Sequence, residues 1–148
     1  MDFRRLAKIV LHLHIDGSVR TQTILDLAAL AGLHLPASDA AGLARFVRVS
    51  PQCRSLTEFL ATFEVFYPLL KTPGALERIT RELCEDLHSD NVVYAEMRFA
   101  PILNIQNLDR SHEQMTAAVL AAASGMEAGC RSTGVDAGLI LCCYRGFD

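Results

Sequence analysis

Lys8-Ile9-Val10-Leu11-His12-Leu13-His14-Ile15-Asp16 is the stretch that decides the fold. Ile9, Leu11, Leu13 and Ile15 alternate with Val10, His12, His14 and Asp16. Successive side chains of an extended chain point to opposite faces, so this reads as a β-strand with one aliphatic face and one face that turns polar toward its C-terminal end. Gly17 and Ser18 stop it. His12 and His14, two apart, emerge on the same face about 7 Å apart along the backbone, and Asp16 continues that face. A catalytic zinc site takes histidine nitrogens and a carboxylate and keeps one position open for water. Two readings stand at this point: a metal-binding pair, or histidines that are merely hydrogen-bonded inside the fold. Their place at the C-terminal end of a first strand, where α/β enzymes build their sites, favours the metal.

Working downstream, the apolar residues Ile24, Leu27, Ala28 and Ala31 recur at helical spacing from Thr21, and Gly32 sits where a helix ends. A short helix is expected over residues 38–46 and a loop around Pro51. Ser55-Leu56-Thr57-Glu58 has the capping-box pattern and opens an amphipathic segment carrying Phe59, Leu60, Phe63 and Phe66. Thr72-Pro73 starts another helix with Leu76, Ile79, Leu83 and Leu87 as its buried stripe. Asn91 marks a turn, and residues 92–100 are β-branched and aromatic enough for a second strand, ended by Pro101. Ser111-x-x-Gln114 is read as the cap of an alanine-rich helix running to about Ser132, followed by Gly134 and a third strand over residues 135–143. Strands separated by helices imply crossovers and a parallel sheet, so the fold class is α/β.

Composition bounds the function. The chain has 148 residues, of which 51% are hydrophobic and 21% charged, the range of one ordinary globular domain. Fourteen Lys and Arg against 17 Asp and Glu leave a net charge of -3, which gives no general basic field for nucleic acid. The longest aliphatic run, Gly138 to Cys143, is far short of the roughly 20 apolar residues of a membrane span, and no apolar signal segment opens the chain. Neither a nucleic-acid nor a membrane partner is expected, and the expected location is cytoplasmic. Five cysteines with no Cys-x-x-Cys pair are read as reduced thiols, Cys142 and Cys143 as interior filling of the third strand. His34, His88 and His112 are read as solvated, and Glu96 and Arg98, on one strand face, as a structural pair.

Leu11-His12-Leu13-His14-Ile15-Asp16-Gly17-Ser18 resembles the first-strand motif of the adenosine deaminase family, within the wider amidohydrolase superfamily of zinc-dependent (β/α)8 barrels. Leu56-x-x-Phe59-Leu60-x-x-Phe63 resembles the helical segment over that family's purine pocket. Residues 92–101, V-V-Y-A-E-M-R-F-A-P, are similar to its second strand, and residues 140–145, I-L-C-C-Y-R, to its third. The resemblance implies that His12 and His14 are zinc ligands, one zinc per complete site, and that Asp16 accepts a ribose hydroxyl. Related adenine deaminases tend to carry Glu at the position of Asp16, which tilts the implied substrate toward the nucleoside. Phe59, Leu60 and Phe63 would supply an apolar lid over the purine, though the same residues at that spacing also suit plain core. The acidic residue many relatives carry two positions before the first histidine is Val10 here.

A complete (β/α)8 barrel needs about 250 residues. Only three strands are expected here, so residues 1–148 are read as a single incomplete domain, the front of such a barrel. The family's third histidine, its zinc-binding aspartate and its acid/base glutamate in a His-Ala-Gly-Glu motif lie on later strands, and no such motif occurs in this sequence. A carboxylate must protonate the purine ring as water adds to the carbon bearing the amine, so no catalytic acid/base is assigned in this chain and the chain alone is expected to be inactive. The implied activity, deamination of adenosine to inosine and ammonia, belongs to a completed protein, with a C-terminal fragment or second chain as the expected partner. Two alternatives are a deaminase of adenine or another amino-purine, or another amidohydrolase, and a non-catalytic half-barrel that only binds.

Overall fold

The computed structural model describes residues 3–146. In chain order the elements are β1 (Lys8–His14), α1 (Thr21–Ala31), α2 (Ala40–Val47), α3 (Leu56–Glu64), α4 (Pro73–Ser89), β2 (Val92–Phe99), α5 (Ser111–Thr133) and β3 (Asp136–Leu141). They fall into two compact units, residues 19–70 and the remainder.

The larger unit is a three-stranded parallel sheet in the order β1-β2-β3, with α4 and α5 packed on it. Its centre is β2. Ala95, Met97 and Phe99 are fully buried, while Tyr94, Glu96 and Arg98 between them are only half-buried, which divides the sheet into a helix-side face and an open face. The expected stripe of α4 (Leu76, Ile79, Leu83, Leu87) is buried, together with Cys84. Helix α5 meets α4 through small residues. A Cβ added at Gly129 would lie 2.5 Å from the Cβ of Cys84, and one added at Gly125 would overlap the carbonyl of Glu77, so these glycines permit an approach no larger residue allows. The alanine-rich composition of α5 is therefore a packing device, with Ala118, Ala121 and Ala122 buried.

Pairing across the sheet is regular between β2 and β3 and irregular between β1 and β2. Val10 pairs with Ala95 and Leu13 with Met97, so Leu11 and His12 together stand opposite Glu96: a β-bulge. The strict alternation expected along β1 therefore fails. Val10 and Leu13 are half-buried opposite buried residues of β2, whereas Ile9 and Leu11, read as part of the aliphatic face, are 62% and 60% exposed.

Element starts follow their caps. The Thr72 hydroxyl accepts from Ala75 N–H at 3.2 Å and opens α4, with Pro73 in its first turn. Ser111 is not the expected cap: it is the first residue of α5, and Gln114 Oε1 reaches back to accept from the N–H groups of Gln106 (2.8 Å) and Asn107 (3.0 Å), bracing the preceding loop. The third strand is shorter than its hydropathy suggested, ending at Leu141, because only residues paired with β2 form the ladder. Cys142 lies half-buried just beyond it and Cys143 is exposed, so the interior-filling reading of this pair is wrong for Cys143.

The smaller unit is helical. Ser55 Oγ accepts from Glu58 N–H at 3.1 Å at the start of α3, and Glu58 Oε2 accepts from Arg54 N–H at 3.0 Å, the reciprocal bonds of a capping box displaced by one residue. Gly32 closes α1 at φ 65°, where its N–H bonds to the carbonyls of Ala28 and Ala29. Ile24, Ala28, Leu43, Phe66 and Leu70 are buried, but α3 buries none of its own residues.

Candidate metal-binding site

The open face of the sheet gathers the polar groups. Beyond β1 the chain is held by Ile15 N–H donating to Arg98 O at 3.0 Å, by the buried Ile15 side chain, and by a turn in which Ser18 N–H donates to Ile15 O (3.1 Å) and Ser18 Oγ to His14 O (2.6 Å). That anchorage sets His12 and His14 side by side: their Nε2 atoms are 3.3 Å apart, ring centroids 5.3 Å, planes inclined at 39°. Both rings are exposed. Asp16, 8% exposed, brings Oδ1 to 3.7 Å from His14 Nδ1, facing the ring nitrogen that is turned away from His12.

Two nitrogens bound to one tetrahedral ion at about 2.0–2.1 Å lie about 3.3–3.4 Å apart, so the spacing of this pair fits a zinc-type ion. The carboxylate beside the second nitrogen of His14 matches the usual outer partner of a metal-binding imidazole. Among the described residues, no group of three or more His, Cys, Asp or Glu is arranged to hold a metal. Among the described residues the pair thus offers two converging nitrogens and no third donor.

Arg98 on β2 completes the row. Its Nη1 lies 3.3 Å from His12 Nδ1 and 3.5 Å from His12 Nε2, while Nε and Nη2 donate to Cys142 Sγ at 3.2 and 3.1 Å. Among the described residues Arg98 therefore pairs with Cys142 and His12, not with Glu96 as its strand face suggested. Neither Arg98 nor Cys142 was singled out for the site from sequence. The signal is their common face, visible only once Arg98 is known to pair with Ile140, two residues before Cys142.

Of the other residues read from sequence, His34, His88 and His112 are exposed. Phe59 and Leu60 are 37% and 50% exposed and Phe63 is half-buried, with the Phe59 and Phe63 rings 5.4 Å apart and Phe63 to Phe66 5.5 Å. They form an aromatic cluster along α3 within the smaller unit.

Solved structures define the class. An amidohydrolase from Burkholderia ambifaria, solved with bound zinc, superposes with a TM-score of 0.76 at 28% identity over 94% of this chain and 36% of that one. An adenine deaminase from Arthrobacter aurescens shares the fold with a TM-score of 0.70 at 24% identity, over 90% of this chain and 38% of that one. Three parallel strands with their helices are thus the front of an amidohydrolase (β/α)8 barrel, here with the sheet unclosed. Residues 7–147 match the family model described as adenosine deaminase, and the chain belongs to that family. It is 38% identical over all 148 residues to an adenosine deaminase of Clostridium botulinum and 43% identical over 141 residues, 95% of this chain, to one of Haemophilus ducreyi. It spans 43% and 40% of their lengths.

Proposed function

We propose that residues 1–148 are one incomplete domain of a zinc-dependent deaminase that converts adenosine to inosine and ammonia once the barrel is complete. The observation that carries this is the 3.3 Å approach of the His12 and His14 Nε2 atoms at the end of β1, in a chain of this family. In this reading His12 and His14 hold the metal through Nε2, and Asp16 accepts a ribose hydroxyl. Phe59, Leu60 and Phe63 exclude water from the purine. When bound, zinc supplies a water acidified to a pKa of about 7 as the nucleophile. The proton donor to the purine and the remaining ligands come from outside this sequence, so the chain alone is inactive. No helix among the described residues is long and apolar enough to cross a membrane, and a cytoplasmic location is part of the proposal.

Complementation tests it. The purified chain is incubated with zinc and adenosine, with and without the C-terminal portion of the Haemophilus ducreyi relative, and inosine is followed. Inosine is expected only from the mixture, and none when His12 or His14 is replaced by alanine. Each lost acid/base group costs about 10²- to 10⁴-fold, so a contaminant-free chain that makes inosine alone would overturn the incomplete-site reading.

A further inference from the structure

Three strand ends meet at the histidine pair. Cys142 N–H donates to Phe99 O at 2.9 Å, which fixes Cys142 one step past β3 and beside the end of β2. Its sulfur then receives Nε and Nη2 of Arg98, the two nitrogens along one edge of the guanidinium fork. Two-point contact with a planar group sets its plane as well as its position. The remaining nitrogen, Nη1, is carried to His12, nearly equidistant from the two ring nitrogens. An in-line bond to one imidazole nitrogen would leave the other well beyond hydrogen-bond reach, so the guanidinium lies across the face of the ring. The in-plane direction of His12 Nε2 stays clear, and it points at His14 Nε2.

We infer that Cys142 is a positioning residue for His12: it holds Arg98, and Arg98 clamps the imidazole face so that Nε2 converges with that of His14. His12 is exposed and sits in a bulge, so neither burial nor a regular ladder restrains its ring. Glu96, a stronger partner for an arginine than a thiol, stands on the same strand face, yet among the described residues Arg98 pairs with Cys142 and not with it. The register with β3 brings the sulfur, not the carboxylate on Arg98's own strand, to the guanidinium.

The inference rests on the metal reading above, and its test separates the two. The chain, complemented by the C-terminal portion used above, is titrated with zinc against a chromophoric chelator, and the ring carbon and nitrogen resonances of the ¹³C/¹⁵N-histidine-labelled chain are recorded without metal. Cys142→Ala should weaken zinc about tenfold, the low end of what outer partners of a metal-binding histidine cost, and shift the His12 ring signals toward those of a freely rotating imidazole. Cys142→Ser keeps an acceptor for Arg98 and should restore most of both. Arg98→Met should reproduce Cys142→Ala, and the double variant should add nothing to either, since both break one linkage. Unchanged His12 signals in Cys142→Ala, losses at Cys142 and Arg98 that simply add, or a folded Cys142→Ser that behaves like alanine would each overturn it. Should Cys142→Ala fail to fold, Arg98→Lys decides, because lysine keeps the charge without the fork and must loosen the ring. If the unaltered chain binds no zinc even with the complementing portion present, the metal reading fails while the ring resonances still judge the clamp.

Discussion

At the scale of the residue, Asp16 holds two roles in tension. It is buried within reach of His14 Nδ1, the place of a carboxylate that orients a ligand, yet the proposed function gives it to the sugar. In a complemented barrel, Asp16→Ala should lower kcat/KM for adenosine about 10- to 100-fold, with free adenine far less affected, since an acceptor for a hydroxyl matters only when the hydroxyl is present. Equal losses on both compounds, accompanied by weaker zinc binding, would assign Asp16 to His14 instead. Cys84 gives a prediction independent of the metal. Burial, reinforced by the neighbouring Cys130 thiol, pushes the Cys84 thiol from 9.0 up to about 12. The folded state thus keeps the proton over a range where the unfolded chain loses it. Relative to Cys84→Ala, the unfolding free energy should be flat below pH 9 and fall as pH rises toward about 12. A flat difference curve from denaturant unfolding across that range would remove the thiol from the interior.

At the scale of the element, the seam between α4 and α5 is where small changes cost most. Gly129→Ala should destabilise the chain by about 1–3 kcal/mol, because its methyl meets Cys84 within a fixed helix pair. Gly74→Ala, in the first turn of α4 with nothing within 4 Å of the added carbon, should be neutral or stabilising by up to about 1 kcal/mol. Thermal unfolding of both variants checks the contrast. The elements themselves were largely legible from local chemistry. Thr72-Pro73, Ser55 with Glu58, and Gly32 each act on backbone groups within four residues, so the sequence carries the whole interaction. What depends on pairing between distant strands was hidden. The parity of β1 placed both histidines on one face, but the bulge beside them arises from register with β2, and the Arg98 contacts arise from register with β3. Ser111 misled for a related reason, since Gln114 finds its partners in the loop before the helix instead of at a local cap.

At the scale of the whole molecule, the sheet has two open sides. Among the described residues β1 and β3 each pair only with β2, and Ile9, Leu11 and Leu141 are exposed along them. Unpaired edges with apolar side chains recruit other strands. At about 50 µM, in the micromolar range where such edges associate, the chain should sediment as a mixture of oligomers. The complementing portion should return it to a single species. A sharp monomer at that concentration would mean that the edges are shielded.

The bulge at Leu11 and His12 carries one more consequence, which concerns chain length rather than side-chain chemistry. Upstream of it, Ile9 pairs with Tyr94 and so stands in file with Glu96 and Arg98, while downstream His12 and His14 occupy that same file. The extra residue is a phase shifter: it lets an odd offset, the three positions from Ile9 to His12, join two segments that present the same side. Removing Leu11 would place His12 directly opposite Glu96 and leave every other side chain on its present side. Removing a residue between His12 and His14 would throw one imidazole to the opposite side. Two deletions of equal size, a few positions apart, thus have opposite fates, and the tolerance of this strand to indels is written in its frame rather than in its composition.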